Sequence, residues 1–182
     1  ANVKWRLRFR ENCAVGPFAR LRRGRRYDVE RYFLASDFVD YMCELVKETG
    51  ADFVMSKNCF WFPNRHEDTG GDSKIVEIYS SEQAAAELLL PGKIDIGCWN
   101  KMFKRTLLLD HNICFPTNYF MGEGLNFIIL AAQFSKQVAV GSKRVYYYRK
   151  DNEASATTAA SAKKYLNALE ALDRIEASQV LQ

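Results

Sequence analysis

No apolar run in this chain comes near the roughly 20 residues that span a bilayer, so nothing in the sequence reads as a membrane-crossing helix. The first residues are basic and alternating, without the apolar core of a signal peptide. The five cysteines (Cys13, Cys43, Cys59, Cys98 and Cys114) are odd in number and widely spaced. They form no C-x-x-C pair, so neither a structural zinc site nor a disulfide framework is indicated, and reduced thiols in a cytosolic protein are the simplest account. The two histidines, His66 and His111, are too few and too far apart for a His-rich metal site. There is no internal repeat and no low-complexity tract. Neither a stacking-aromatic RNA motif nor a helix-turn-helix is present, so no nucleic-acid partner is expected.

What remains is a chain of 182 residues, 48% apolar and 26% charged, which is the profile of one soluble globular domain with a real core. The charge is uneven. Residues 1–31 carry ten Lys and Arg against three Asp and Glu, a net +7; with +4 overall, the remainder is left at −3. A basic first segment suits an anionic partner, whether phosphate, lipid headgroup or nucleic acid, and suits a solvated surface equally well.

Val3, Trp5, Leu7 and Phe9 alternate with Lys4, Arg6, Arg8 and Arg10, a period-two strand with one basic face. The arginine-rich run Arg20–Arg26 is either a diphosphate-binding loop or a surface patch. Tyr32–Leu34 reads as a short buried strand that stops at Ala35-Ser36-Asp37. A helix from Phe38 to Thr49 follows, with Val39, Met42, Leu45 and Val46 on one stripe and Gly50 ending it. Asp37 therefore stands at the C-terminal edge of a strand, where open α/β sheets hold ligands, and at a helix N-cap position. Further strands are expected at 51–62, 75–79, 138–140 and 145–148. Helices are expected after Ser80 or Ser81, near Arg105–Asp110, and from Gly122-Glu123-Gly124 with Leu125, Ile128, Ile129 and Ala132 inward. The last, Lys163–Leu181, carries Leu166, Leu169, Leu172 and Ile175 on one face. Glu67, Asp68 and Asp72 fall in a polar loop, and 151–161 reads as an Ala/Ser/Thr-rich connection. The division expected is a domain over residues 1–160 and a C-terminal helix over 161–182.

Several strings, taken in order, resemble glycosyltransferases of family 2, the nucleotide-sugar-dependent enzymes of GT-A fold. Glu11-Asn12, Ala19-Arg20 and Gly24 resemble the segment before the family's metal motif. Phe33-Leu34-Ala35-Ser36-Asp37 falls where that motif, Asp-x-Asp, stands. Trp99-Asn100-Lys101-Met102-Phe103, continued by His111-Asn112-Ile113 and Phe115-Pro116, resembles the Trp-Asn-Lys-Leu-Tyr string. Gly122-Glu123-Gly124 sits where Gly-Glu-Asp is usual. Tyr146-Tyr147-Tyr148-Arg149 and Ser155 resemble the closing Tyr-Tyr-Tyr-Arg…Ser.

The resemblance implies an α/β fold, a GT-A-like mixed sheet flanked by helices with its N-terminal part lacking, since the family's opening Pro-x-Tyr-Asn and Asp-Asp-x-Ser strings are absent. It implies transfer of a sugar from a nucleotide-sugar donor to a glycan or other acceptor, in polysaccharide biosynthesis. A divalent cation, Mn or Mg, would sit on Asp37, since hard cations neutralise leaving phosphates and take carboxylate oxygens. Arg20, Arg149 and Ser155 would contact the diphosphate, and Trp99, Asn100 and Lys101 would line the sugar and acceptor pocket. Glu123 is the carboxylate left near the position of the catalytic base.

The departures are equally specific. Ala35 replaces the first metal-motif Asp, Phe38 the Asp that often follows, and Gly124 the base. Two classes of function stay open: a glycosyltransferase with a degenerate metal and base site, and a non-catalytic relative acting as a binding or scaffolding protein. Asp37 can be a helix cap, Glu123 a charge favourable to a helix dipole, and Trp99 a core anchor. The expected location is the cytoplasm, with peripheral membrane contact through the basic N-terminal segment.

Overall fold

The computed structural model describes residues 32–62, 65–66, 75–90, 94–116, 122–149 and 161–178. The expected strand at Val3–Phe9, Arg20–Arg26, the acids Glu67, Asp68 and Asp72, and residues 151–160 lie outside them.

The strands are β1 (Tyr32–Leu34), β2 (Phe53–Phe62), β3 (Arg65–His66), β4 (Val76–Tyr79), β5 (Lys101–Phe103) and β6 (Val138–Arg149). The helices are α1 (Phe38–Thr49), α2 (Ser81–Leu89), α3 (Arg105–Asp110), α4 (Glu123–Phe134) and α5 (Ala162–Ala177). Strands β2 and β6 run parallel at the centre of a six-stranded mixed sheet. The first half of β6 is flanked on its other side by antiparallel β4, and the second half by antiparallel β1. Likewise β2 pairs first with β5 and then with β3. Every short strand thus borders the one long parallel pair.

The alternation of side chains along this pair divides the core in two. Phe53 and Met55 of β2, with Val138 and Val140 of β6, point to the face covered by α2, α3 and α4. Val54 and Ala139 point to the face covered by α1. With both faces covered, β2 opens as an unbroken buried run, Phe53 to Ser56.

Helix α2 starts on a capping box, in which Ser80 Oγ accepts from Gln83 N–H at 3.2 Å and the Gln83 side chain accepts from Ser80 N–H at 3.1 Å. Helix α1 ends on Gly50 in the left-handed conformation, φ 70°, with its N–H bonded to Val46 C=O at 2.9 Å. At the same end of the sheet, the Asp52 carboxylate joins Lys104 Nζ (2.6 Å) to the Lys136 N–H (2.9 Å). Burial alone would raise the Asp52 carboxyl, but those two donors win and hold it below the ordinary value.

Four expectations change on contact with the structure. The buried stripe of α1 is Phe38, Tyr41, Met42 and Leu45, and Val39 is turned outward; the aromatic pair takes the inner face, rotating the helix by about one position. Residues 138–149 form one strand, because the glycine between the two apolar runs, Gly141, stays in the ladder. Strand β1 lies at the sheet edge and Leu34 is half-buried. In α5 only Ala171 and Ile175 are buried, while Leu166, Leu169 and Leu172 face solvent. That helix approaches α4 closely along its small residues: a Cβ on Gly122 would stand 2.4 Å from Ala171 Cβ, and Asn126 Nδ2 donates to the Ala171 carbonyl at 2.8 Å.

Two glycines separate conformation from space. Nothing lies within 4 Å of a Cβ on Gly50, so Gly50→Ala meets only the left-handed backbone penalty, about 1–2 kcal/mol. A Cβ on Gly141 would fall 2.0 Å from Tyr41 Oη and 2.9 Å from Leu45 Cδ1, so Gly141→Ala should cost about 1–3 kcal/mol by forcing α1 off the sheet. Denaturant unfolding of both variants checks this, and only Gly141→Ala should also change near-UV circular dichroism from Tyr41.

Candidate functional site

Parallel pairing of β2 and β6 does not keep one register. Ser56 faces Gly141, but Lys57 faces Arg144, so Ser142 and Lys143 bulge from β6. The bulge sits where β4 gives way to β1 as the flanking strand: Ser142 N–H bonds to Ile75 C=O at 3.0 Å, and Ala35 N–H bonds to Val145 C=O at 2.9 Å. Bulges bend a strand and re-aim its side chains. Here the re-aimed side chain is Lys143, whose ammonium pairs with the Asp37 carboxylate. The Lys143 backbone N–H donates to Tyr41 Oη at 3.2 Å, and its ammonium lies 5.5 Å from the Tyr41 ring centre.

Asp37 does stand just past the end of β1 and at the N-cap position of α1, but its side chain makes no capping hydrogen bond. It turns to Lys143 instead. The carboxylate and ammonium side chains are 45% and 42% exposed, so the pair is open to solvent. The hydrogen bond to Asp37 is the main reason the Lys143 ammonium is held above its ordinary value.

A second cluster gathers around residues 94–103. The indole of Trp99 stacks on Tyr148 (ring centres 5.0 Å apart) and on Tyr146 (6.4 Å). Tyr146 in turn meets Phe38, the first residue of α1, at 6.5 Å, so the tryptophan joins the same face of the sheet as the Asp37 turn. The loop folds back tightly, and a Cβ on Gly97 would overlap the indole. Asn100 is fully buried and donates through Nδ2 to Ser56 C=O, beside the bulge. Lys101 is buried, and its three N–H donors meet Asp95 C=O (2.6 Å), Gly97 C=O (2.6 Å) and Asn100 Oδ1 (2.8 Å). Three acceptors for three donors satisfy an ammonium completely. Burial pushes Lys101 down to about 8, with Asp95 opposing.

Glu123 opens α4 behind Gly122, whose φ of 87° no β-carbon would favour. Gly124 packs against the second cluster: a Cβ there would lie 3.3 Å from Cys98 Sγ. The structure thus brings Trp99, Asn100 and Lys101 together with the start of α4 on one side, and through Tyr146 with the Asp37 turn on the other. Arg20 and Ser155 lie outside the described residues; of Arg149 the backbone closes β6. The sequence does not single out Lys143: in Gly141-Ser142-Lys143-Arg144 the glycine ahead of the basic pair is the one hint of a break in the strand.

The described residues suit a resident divalent cation poorly. They hold no group of three His, Cys, Asp or Glu side chains that could ligate one. Ala35 offers no side-chain oxygen, and the one carboxylate of the motif is already taken by an ammonium that would repel a second cation. Among the described residues, no helix is long and apolar enough to cross a membrane.

The mixed sheet flanked by helices, with its added C-terminal helix, is a GT-A-like fold. Among solved structures, S. aureus TarS 1–349 in complex with UDP-GlcNAc matches with a TM-score of 0.61 at 15% identity, over 80% of this chain and 39% of that one. The same protein in complex with UDP matches with a TM-score of 0.56 at 14% identity, over 83% of this chain and 40% of that one. The chain therefore spans about two fifths of the length of these structures. No protein-family profile and no curated protein sequence matches.

Removing the Lys101 ammonium strands three buried acceptors. Lys101→Met should cost about 3 kcal/mol or more. Between about 8 and the ordinary 10.5, the unfolded chain keeps a proton that folded Lys101 has released, so this residue makes stability rise with pH in that window. The stability gap between wild type and Lys101→Met should widen across it, as measured by urea unfolding at pH 7.5, 9 and 10. A gap that narrows would contradict the assignment.

Proposed function

We propose that the chain binds a nucleotide-sugar donor of the uridine diphosphate type and serves sugar transfer to a glycan acceptor, with a metal and base site that has lost carboxylates. The observation that carries this is the placement of the Asp37–Lys143 pair at the end of β1, in a fold shared with a protein solved with UDP-GlcNAc. In this reading the diphosphate lies at the Asp37 turn and is contacted by Arg20, Arg149 and Ser155, as the family strings imply. Trp99 offers its ring to the sugar or acceptor, while Asn100 and Lys101 act beneath it by holding the loop in shape. Glu123 is the carboxylate nearest the base position.

A second reading, a binding protein without turnover, is favoured by Gly124: the side chain it lacks is the one a base would need, and Cys98 already occupies the space beside it. Titration calorimetry with UDP-GlcNAc, followed by a product assay, separates the two. The expected outcome is binding, with turnover well below the roughly 1 per second at the low end of ordinary enzymes. Residual turnover lost in Glu123→Gln supports transfer; binding with no product supports the second reading. Failure to bind any nucleoside-diphosphate sugar would remove both.

A further inference from the structure

Resting on the nucleotide reading above, we propose that Lys143 takes the place of a divalent cation here: its ammonium, anchored by Asp37, donates hydrogen bonds to the donor diphosphate, and binding needs no metal. The bulge supplies the first reason. Three additional residues in β6, Ser142, Lys143 and Val145, interrupt the parallel ladder between Ser56 and Asn58, and Lys143 meets the carboxylate that follows β1. An ordinary surface lysine needs no such device.

The second reason is how firmly the charge is held. Its backbone N–H is bonded to Tyr41 Oη, its ammonium lies over the Tyr41 ring, and Asp37 takes one of its three donors. Tyr41 is itself locked in place, since its hydroxyl fills the space a side chain on Gly141 would need. A cation placed in advance loses little freedom when it meets a phosphate.

The third reason is charge balance and access. With Ala35 in place of a carboxylate, Asp37 is the one acid of the turn at residues 35–37, and Lys143 pairs with it, while Asp40 and Glu44 of α1 stand nearby. Both side chains are more than two fifths exposed, which leaves the other ammonium protons open to a ligand.

The test is calorimetric titration of uridine diphosphate into wild type, Lys143→Ala and Lys143→Arg, each in EDTA and in Mn²⁺. The pair is superficial, so the variants should fold, which circular dichroism checks. Wild type should bind with the same Kd, within about twofold, in both buffers. Lys143→Ala should weaken binding about tenfold or more in EDTA, the loss of a charge-assisted hydrogen bond, and Lys143→Arg should restore most of it. A wild-type affinity that rises tenfold with Mn²⁺, or Lys143→Ala binding as tightly as wild type, overturns the inference and leaves the nucleotide reading standing. No binding by any variant in either buffer overturns both.

Discussion

The parallel pairing of β2 with β6 is the constraint on which the rest depends. Parallel neighbours need a long crossover between them, and here that crossover holds β3, β4, α2, β5, α3 and α4. Over residues 53–55 of β2 and 138–140 of β6, both faces are covered and successive residues go to one of two cores by parity. A one-residue slip would exchange the cores, so the register is strongly held where it is regular. It fails at one place, between Ser56 and Asn58, and the candidate site grows from that failure.

Around the bulge the supporting residues answer to one another. Gly141 must be small for Tyr41 to reach across it, and Tyr41 must reach across to meet the Lys143 backbone. Asn100, buried and bonded to Ser56, places the loop carrying Trp99 against the last regular step of the ladder. Lys101 then closes that loop by satisfying three carbonyl-type oxygens at once. In the string Trp99-Asn100-Lys101, the first residue therefore packs on Tyr146 and Tyr148, and the other two shape the loop beneath it.

Much of the fold was legible. Residue content and apolar spacing located β2, β4, α2, α3 and α4 within a few residues, Gly50 marked the end of α1, and of the two serines offered as the cap of α2 it is Ser80. The errors have physical causes. In α1 and α5 the apolar residues outnumber what one face can bury, so periodicity alone chose the wrong ones: Val39 over Phe38, and Leu166, Leu169 and Leu172 over Ala171. Helix α5 buries a small residue because close approach to Gly122 and Asn126 outweighs the size of the side chain buried. The position of Asp37 could be read from the strand–turn–helix pattern, but its partner could not. Asp37 and Lys143 are 106 residues apart, and only the slipped register joins them.

The most direct measurement is amide chemical-shift mapping of the isotopically labelled protein with uridine diphosphate in EDTA. The account predicts the largest shifts at residues 35–39 and 141–145, around the bulge and the start of α1, with lesser shifts near Trp99. Shifts confined to α5 or to the outer face of α2, or no shifts at saturating ligand, would contradict it.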